Sequence, residues 1–226
     1  MRAVVIKLGG FAFPEEPDPG ALRACASVFK RLVDEGYRVV IVAGGGRNAR
    51  KLIEAARRLG APEAICDELG IAITRLNAAL LALALGLRNP LDIPTDFRSM
   101  ALALDRSNPV VLGGLQPGQS TDAVAILAAE LVGAKLVVKA TDVDGIYTAD
   151  PRKHPEARRL EKLTYDEALA LLSGQAAAGT YELLDPLALR LARRSGISIR
   201  VVDGRDPENI YRAAKGADVG TLVGPG

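Results

Sequence analysis

The chain has 226 residues, of which 49% are apolar and 25% charged, which is ordinary for a soluble globular protein and enough for one large α/β domain or two small ones. Its net charge is only +2 and its basic residues are scattered, which argues against nucleic acid as the main partner. The two cysteines, Cys25 and Cys66, lie far apart without metal-site spacing, so we expect free thiols in a reducing compartment.

No segment predicts a secreted or membrane-spanning protein. The chain starts with a strand-like run at residues 3–6 and lacks the pattern of a signal peptide. The most apolar helical stretch, at residues 78–87, is shorter than the roughly 20 residues that span a bilayer. We therefore expect a cytoplasmic protein without a membrane partner.

Apolar β-branched runs alternate along the chain with helical stretches rich in Ala, Leu and Arg. The predicted strands are residues 3–8, 38–43, 109–112, 135–140 and 197–202. The predicted helices are residues 19–35, 47–59, 62–85, 121–131 and 186–194. Short buried strands separated by helices are typical of a parallel sheet covered on both faces. The predicted fold is a three-layer α/β/α sandwich with a mainly parallel central sheet.

Local signals mark the ends of several predicted helices. Asp18 followed by Pro19 predicts an N-cap and a first-turn proline. Four glycines stand where helices should stop, as C-terminal glycines do. They are Gly36, Gly60, Gly133 and Gly196.

A glycine cluster follows each of the first three predicted strands. Glycines 9–10 come after Lys7, glycines 44–46 open the helix that carries Arg50, and glycines 113–114 follow the third strand. Glycines let backbone N–H groups approach an anion, and a helix N-terminus adds a favourable dipole. One such turn is equally well explained as a tight connection. Three at one edge of a parallel sheet predict a long phosphate ligand, or two phosphate ligands end to end.

The residues around these turns suit phosphoryl transfer. The sequence contains neither GxxxxGK[ST] nor GxGxxG. Transfer between two bound substrates needs cations and rigid placement more than covalent participation. Lys7 and Arg50 are the candidate cations, and Asp122 is a candidate to orient Lys7 or to meet Mg²⁺ through water. The alternatives are an exposed strand-end lysine for Lys7 and a first-turn acid that complements the helix dipole for Asp122.

The segment at residues 140–151, ATDVDGIYTADP, predicts part of a binding site. It follows a buried apolar run and gathers three aspartates around a glycine and Tyr147. Ligands bind in loops at the carboxyl ends of strands in open α/β sheets. A second segment, SGQAAAGT at residues 173–180, is small and polar and predicts a mobile loop.

Together these motifs resemble the amino acid kinase superfamily. The motifs are KLGG at residues 7–10, AGGGRNAR at 43–50 and TDVDGIYTADP at 141–151. Two further stretches, at residues 67–85 and 113–130, are similar to archaeal-type uridylate (UMP) kinases. The resemblance covers nearly the whole chain. It implies one domain over residues 1–226, with an acceptor-binding N-terminal part and an ATP-binding C-terminal part, and a homohexamer in which the apolar stretch 76–87 is a candidate interface.

The resemblance also implies a reaction and its residues. The γ-phosphoryl group of MgATP passes to UMP, with Lys7 stabilising it and Asp122 orienting Lys7 or hydrated Mg²⁺. The implied ATP contacts are Gly10, Phe11, Gly46, Arg50, Thr141, Asp142, Tyr147 and Asp150. The implied UMP contacts are Gly45, Asp67, Leu115, Gln116, Pro117, Gly118, Gln119, Ser120 and Thr121. The Asp67 carboxylate can accept from both ribose hydroxyls, although an N-cap or a surface acid is the alternative.

Two positions depart from the family pattern. Phe11 stands where the family usually has a small polar or basic residue, so only its backbone N–H is expected to reach phosphate. Asp142 stands where bacterial uridylate kinases have lysine. If that lysine neutralises phosphate charge, Lys139 is the nearest replacement, and the alternative is an ordinary strand residue.

Two other functions stay open from the sequence. One is a kinase for a carboxylate such as aspartate or N-acetylglutamate, although the KFGGTS start and the regulatory domain of typical aspartokinases do not occur in this sequence. The other is a non-catalytic oxyanion-binding storage protein of the same fold, as the molybdenum storage proteins are. The presence of both Lys7 and Asp122 favours catalysis over storage.

Overall fold

The structure is a computed structural model that describes residues 2–149, 154, 156–175 and 183–226, with the backbone alone for residues 173–175. Within these ranges the strands are β1 (Arg2–Leu8), β2 (Tyr37–Ala43), β3 (Val110–Leu112), β4 (Leu136–Thr141), β5 (Ile146–Tyr147), β6 (Arg159–Leu160), β7 (Lys162–Thr164), β8 (Ser198–Asp203) and β9 (Thr221–Gly224). The helices are α1 (Pro19–Asp34), α2 (Gly46–Arg58), α3 (Glu63–Ala84), α4 (Phe97–Arg106), α5 (Thr121–Val132), α6 (Tyr165–Gln175), α7 (Pro186–Ser195) and α8 (Pro207–Ala214), with a 3₁₀ helix at Gly10–Ala12.

Seven strands form one sheet in the order β3-β2-β1-β4-β8-β9-β7. The first five run parallel to one another, β9 is antiparallel to β8, and β7 is parallel to β9. Strands β5 and β6 form a separate antiparallel pair. The prediction of a mainly parallel central sheet is therefore confirmed, and the antiparallel edge is an addition that the sequence did not predict.

The core lies in two layers, one on each face of the sheet. Val5 and Val137 belong to the layer that packs beneath α4, α5, α6 and α7. Ile6 and Val138 belong to the opposite layer, which packs beneath α1, α3 and α8. Neighbouring residues of a strand thus point to opposite faces, as the two-residue period of a strand requires. The predicted three-layer α/β/α arrangement is confirmed.

The predicted helix signals act where they were expected. Oδ1 of Asp18 accepts hydrogen bonds from the backbone N–H groups of Gly20 (2.8 Å) and Ala21 (3.1 Å) at the start of α1. Gly133 and Gly196 end α5 and α7 in the left-handed conformation, with φ of 68° and 61°. Every predicted strand and helix is present, with each end displaced by at most one residue.

The elements that the prediction missed are short or weakly patterned. They are α4, α6, α8 and the strands β5, β6, β7 and β9. Two of the missed helices carry readable signals, because Asp96 and Ser99 form a capping box at α4 and Asp206 caps α8 ahead of a first-turn proline. Among the helices of the described residues, none has both the length and the hydropathy that crossing a bilayer requires.

Candidate active site

The carboxyl ends of four adjacent strands lie level with one another. Leu8 at the end of β1 pairs with Ala43 of β2 and Ala140 of β4, and Thr141 of β4 pairs with Asp203 of β8. The predicted turns leave the sheet at this edge, where Gly9 donates its N–H to the Ala140 carbonyl (2.9 Å). The glycine turns therefore converge on one edge, as the sequence predicted.

The first two glycine turns touch each other. A Cβ atom on Gly10 would lie 3.1 Å from Cα of Gly46 and 3.7 Å from Nη2 of Arg50. Gly46 has a φ of +68°, and a Cβ there would lie 2.2 Å from the carbonyl oxygen of Phe13, so only glycine fits. The exposed Arg50 guanidinium extends towards this contact from the first turns of α2. The structure thus places Gly10, Gly46 and Arg50 together.

Phe11 takes part in packing rather than in a polar contact. Its half-buried ring lies against the turn after β8, since a Cβ on Gly204 would come within 2.5 Å of the ring. The same ring packs against the core layer beneath α1 and α8. The departure from the family pattern at this position therefore fills space between strand ends.

Helix α3 holds the second and third glycine turns by side chains that the sequence interpretation did not single out. Asn77 donates from Nδ2 to the carbonyls of Gly44 (2.8 Å) and Gly45 (3.2 Å). Thr74 Oγ1 accepts from the N–H of Gly114 at 2.6 Å. The signal that was available is a set of polar residues at positions 74, 75 and 77 inside an otherwise apolar helix.

Arg75 adds two more bonds to the third turn. Its Nε donates to the Gly114 carbonyl and its Nη2 to the Leu115 carbonyl, each at 3.0 Å. The Leu115 side chain is buried in the core, so its backbone alone faces the site edge. The start of the predicted acceptor loop is therefore fixed in place from α3.

Asp67 lies against the predicted acceptor loop. Its Oδ2 accepts from the backbone N–H of Gly118 at 2.9 Å. Asp67 is inside α3, whose N-cap residue is Pro62, so the alternative of a helix N-cap is wrong. Residues 116–118 are exposed and 119–121 half-buried, which leaves the loop open to a ligand.

Lys7, Asp122 and Lys139 form a largely buried charge cluster at the end of the sheet. Lys7 on β1 pairs in register with Lys139 on β4, so both side chains point to the face that α5 covers. Asp122 lies in the first turn of α5, with Oδ1 3.6 Å from Lys7 Nζ and Oδ2 2.5 Å from Lys139 Nζ. The Lys7 side chain is only 12% exposed, so the alternative of an exposed strand-end lysine is wrong.

Burial and charge act in opposite directions within this cluster. Burial alone would raise the pKa of the Asp122 carboxyl, but the ammonium groups of Lys139 and Lys7 outweigh it and hold that pKa below the ordinary value. Burial lowers the pKa of Lys139 to about 8, although Asp122 opposes the shift. Asp122 is therefore a carboxylate at neutral pH that faces a cation with each oxygen.

Asp185 is a further residue of the site that sequence reasoning missed. It caps α7 by accepting from the N–H groups of Leu187 (3.0 Å) and Ala188 (3.3 Å), and it accepts a hydrogen bond from the Ser120 hydroxyl of the acceptor loop. Its charge also opposes the lowering of the Lys139 pKa. The Asp-Pro pair at the start of α7 is a readable cap signal, but its second partner is 65 residues away.

The loop after β4 is more exposed than the charge cluster. Thr141 donates from Oγ1 to Asp142 (3.2 Å), and the Tyr147 hydroxyl donates to Oδ1 of Asp144 (2.9 Å), which raises the pKa of Tyr147. A cavity of about 250 Å³ lies beside this loop. It is lined by Asp144, Arg159, Val202, Asp203, Asn209, Asp218, Val219 and Gly220.

Some predictions fall outside the described residues. Asp150 lies there, as do residues 176–180 of the predicted mobile loop, while the backbone of residues 173–175 ends α6. Within the described ranges, no group of three or more His, Cys, Asp or Glu residues is arranged to hold a metal ion. Cys25 and Cys66 are both buried free thiols, as predicted.

Comparisons with known proteins agree on one family. The amino acid kinase family model matches residues 2–203. The uridylate kinase of Hyperthermus butylicus is 45% identical over 221 residues, which cover 97% of each chain. That of Methanothermobacter thermautotrophicus is 45% identical over 98% of this chain and 99% of its own. The crystal structure of uridylate kinase from Archaeoglobus fulgidus superimposes with a TM-score of 0.85 at 36% identity, covering 99% of this chain and all of that chain.

Proposed function

This chain belongs to the amino acid kinase family, and we propose that it transfers the γ-phosphoryl group of ATP to UMP, giving UDP and ADP. Relatives that match over nearly the whole chain are named uridylate kinases and come from archaea, which confirms the predicted resemblance to archaeal-type uridylate kinases. The observation that carries the proposal is the position of Lys7 and Asp122 at the sheet edge where the glycine turns converge.

Lys7 is the cation that meets the transferring phosphoryl group. It is the second-last residue of β1, which lies between β2 with its glycine turn and β4 with its acidic loop. A cation in a largely water-excluded site stabilises developing charge more strongly than one in water. An oxygen of the UMP α-phosphate attacks the γ-phosphorus of ATP as the bond to ADP breaks. Positioning and charge suffice for this step, so no covalent enzyme intermediate forms.

The donor phosphates bind at the first two glycine turns. Gly10 and Gly46 bring two backbone segments together without side chains between them, and Arg50 adds a guanidinium at the same place. Phe11 contributes its backbone N–H. Backbone amides and a guanidinium are suited to phosphate oxygens.

The nucleoside end of ATP binds along the loop after β4. Thr141 ends β4, Asp142 follows it, and Tyr147 of β5 donates a hydrogen bond to Asp144, which lines the cavity of about 250 Å³. Their hydroxyl and carboxylate groups are suited to the polar edges of a base and a ribose. Asp150 lies beyond the described residues, and its contact with ATP stays a prediction.

The acceptor binds between α3 and the loop at residues 115–121. The Gly118 N–H holds one oxygen of Asp67, and this fixes the carboxylate where it can accept from the ribose hydroxyls of UMP. Gly45, whose carbonyl is held by Asn77, completes this side. The loop residues proposed to contact UMP are Leu115, Gln116, Pro117, Gly118, Gln119, Ser120 and Thr121.

Mg²⁺ enters this scheme as part of the substrate MgATP. Asp122 does not fit a direct metal ligand, because each of its oxygens faces a lysine ammonium group. Mg²⁺ in kinases is commonly bound by substrate phosphates and water. Asp122 instead orients Lys7, which is the first of the two roles that the sequence allowed.

The identity of the phosphoryl acceptor distinguishes a UMP kinase from the two alternative functions. A kinase for aspartate or N-acetylglutamate and a storage protein are not favoured, since the full-length relatives are named uridylate kinases. We expect the chain incubated with MgATP to convert UMP to UDP, and to leave aspartate and N-acetylglutamate unchanged, with CMP as the nucleotide control. Phosphorylation of another acceptor without formation of UDP from UMP would refute the assignment. Absence of ATP turnover with every acceptor would favour a storage protein.

The proposal also covers the domain organisation of the chain, its assembly into oligomers and the cellular compartment of the reaction. One continuous sheet agrees with a single domain over residues 1–226, in which the acceptor contacts lie in the N-terminal part and the ATP nucleoside contacts in the C-terminal part. Helix α3 also exposes a line of apolar side chains, which supports self-association and agrees with the homohexamer that the resemblance implies. They are Ile65, Leu69, Leu76, Leu80 and Leu83. We place the reaction in pyrimidine nucleotide synthesis in the cytoplasm.

A further inference from the structure

Lys139 is a buried cation that the mechanism above leaves without a role. Only 8% of its side chain is exposed, and beside Asp122 it lies against apolar groups of α5 and α7, among them Ile126 and Leu189. Leaving a buried ammonium group unpaired costs free energy, so a lysine here has to be compensated. Its charged surroundings on the described residues are Asp122 from α5, Lys7 from β1 and Asp185 at the start of α7.

The two lysines share Asp122 unequally. The Asp122–Lys139 contact, at 2.5 Å, is a hydrogen-bonded ion pair, whereas the Asp122–Lys7 distance of 3.6 Å exceeds hydrogen-bond length. Each lysine uses a different oxygen of the carboxylate. Lys139 therefore holds the carboxylate in one orientation and neutralises much of its charge, while Lys7 is aligned by the second oxygen and keeps its own charge for a ligand.

We propose that Lys139 is a positioning residue, which acts through Asp122 to keep Lys7 aligned and available to the transferring phosphoryl group. The proposal rests on the proposed function, because it needs Lys7 to meet that group. In the absence of Lys139, Asp122 has Lys7 as its nearest cation and draws it into a closer pair. The Lys7 ammonium group then stabilises the transferring phosphoryl group less. Burial, which lowers the pKa of Lys139 to about 8, still leaves it mainly cationic at neutral pH.

This role differs from the two that the sequence suggested. If Lys139 were an ordinary strand residue, its substitution would change the stability of the fold but not the kcat of the folded protein. A residue that contacts phosphate directly would act independently of Asp122. Lys139 lies behind Asp122 in a mostly apolar pocket, so its effect has to pass through that carboxylate.

The test is a double-mutant cycle on the full chain with UMP and MgATP. We compare Lys139→Met, Asp122→Asn and the double variant, and measure kcat, both KM values and thermal unfolding. Lys139→Met is expected to lower kcat about 10- to 100-fold, by analogy with the loss of a residue that orients a metal ligand, while KM for UMP stays unchanged. The double variant is expected to lose no more kcat than Asp122→Asn alone, because groups that act as a unit are not additive.

Two further variants keep the test decisive. Lys135→Met removes the same charge from an exposed position before the start of β4, and its kcat is expected to equal that of the wild type. Lys139→Gln retains a hydrogen-bond donor and replaces Lys139→Met if the latter does not fold. An unchanged kcat in a folded Lys139 variant, or losses that add in the double variant, would overturn the proposal. A wild-type chain that forms no UDP would instead overturn the proposed function, and this inference with it.

Discussion

The phosphate end and the nucleoside end of the proposed site are built differently. At the phosphate end, glycine turns are tied to α3 through Asn77 and Thr74, and the charges of Lys7 and Asp122 are buried. At the nucleoside end, the loop after β4 is anchored by the two-residue strands β5 and β6 and by the exposed Tyr147–Asp144 bond. The groups proposed for chemistry, Lys7 and Asp122, therefore stand near the end of a strand and at the start of a helix, whereas those proposed for recognition of the donor nucleoside stand on the segment after β4.

This comparison predicts that substitutions at the phosphate end cost far more than those at the nucleoside end. The largest effect is expected for Lys7→Ala. Removing the cation at the transferring group should lower kcat by about 10²- to 10³-fold, the range found when one stabilising donor of developing charge is lost. Affinity for UMP, measured by calorimetry, should change little because the proposed UMP contacts lie elsewhere. A Lys7→Ala variant with near-normal turnover would remove Lys7 from the mechanism.

Gly46→Ala is expected to have the next largest effect. A left-handed φ with a non-glycine residue costs about 1–3 kcal/mol, and here a Cβ would also lie 2.2 Å from the Phe13 carbonyl oxygen. Chemical denaturation should show a loss of stability, and KM for ATP should rise. Gly60→Ala is the matched control, since its φ is +83° but nothing lies within 4 Å of the added Cβ. Equal destabilisation by both substitutions would mean that the contact with Phe13 is unimportant.

Asp67→Asn should separate binding from chemistry. Hydrogen bonds to a charged group contribute about 1.5–3 kcal/mol, so KM for UMP should rise by about 10- to 100-fold while kcat changes little. Glu68→Gln, at the exposed neighbouring position of α3, serves as the charge control. An unchanged KM for UMP in Asp67→Asn would remove the ribose contact from the proposal.

Tyr147→Phe should have the smallest effect. It removes one hydrogen bond to the Asp144 carboxylate, and because this bond is exposed to solvent, water can replace it at little cost in free energy. We expect a slight rise in KM for ATP with kcat and KM for UMP unchanged. A loss as large as that of Lys7→Ala would contradict the difference between the two ends.

The sequence predicted the parallel part of the sheet because each of its strands is a buried apolar run bounded by turn residues. It did not predict the antiparallel edge, since β9 has four residues and β7 three, too few for a clear period. Local signals such as Asp206 at α8 were present but were not used. Fold prediction therefore failed where the elements are short or weakly patterned.

Within the site, the sequence identified residues whose role follows from a neighbouring motif. Lys7 precedes a glycine pair, and Asp122 follows the third turn. Asn77 and Asp185 were missed because their partners in the site are 33 and 65 residues away along the chain. Nothing local distinguishes Asn77 from any polar helix residue, or Asp185 from an ordinary N-cap.

Lys7 is proposed to promote direct transfer from ATP to UMP at this edge of the sheet. ³¹P NMR of UMP and MgATP, followed with the wild-type chain and with Lys7→Ala side by side, tests it most directly. UDP and ADP should appear in equal amounts with the wild type, and about 10²- to 10³-fold more slowly with the variant. No UDP from the wild type, or equal rates from both proteins, would contradict it.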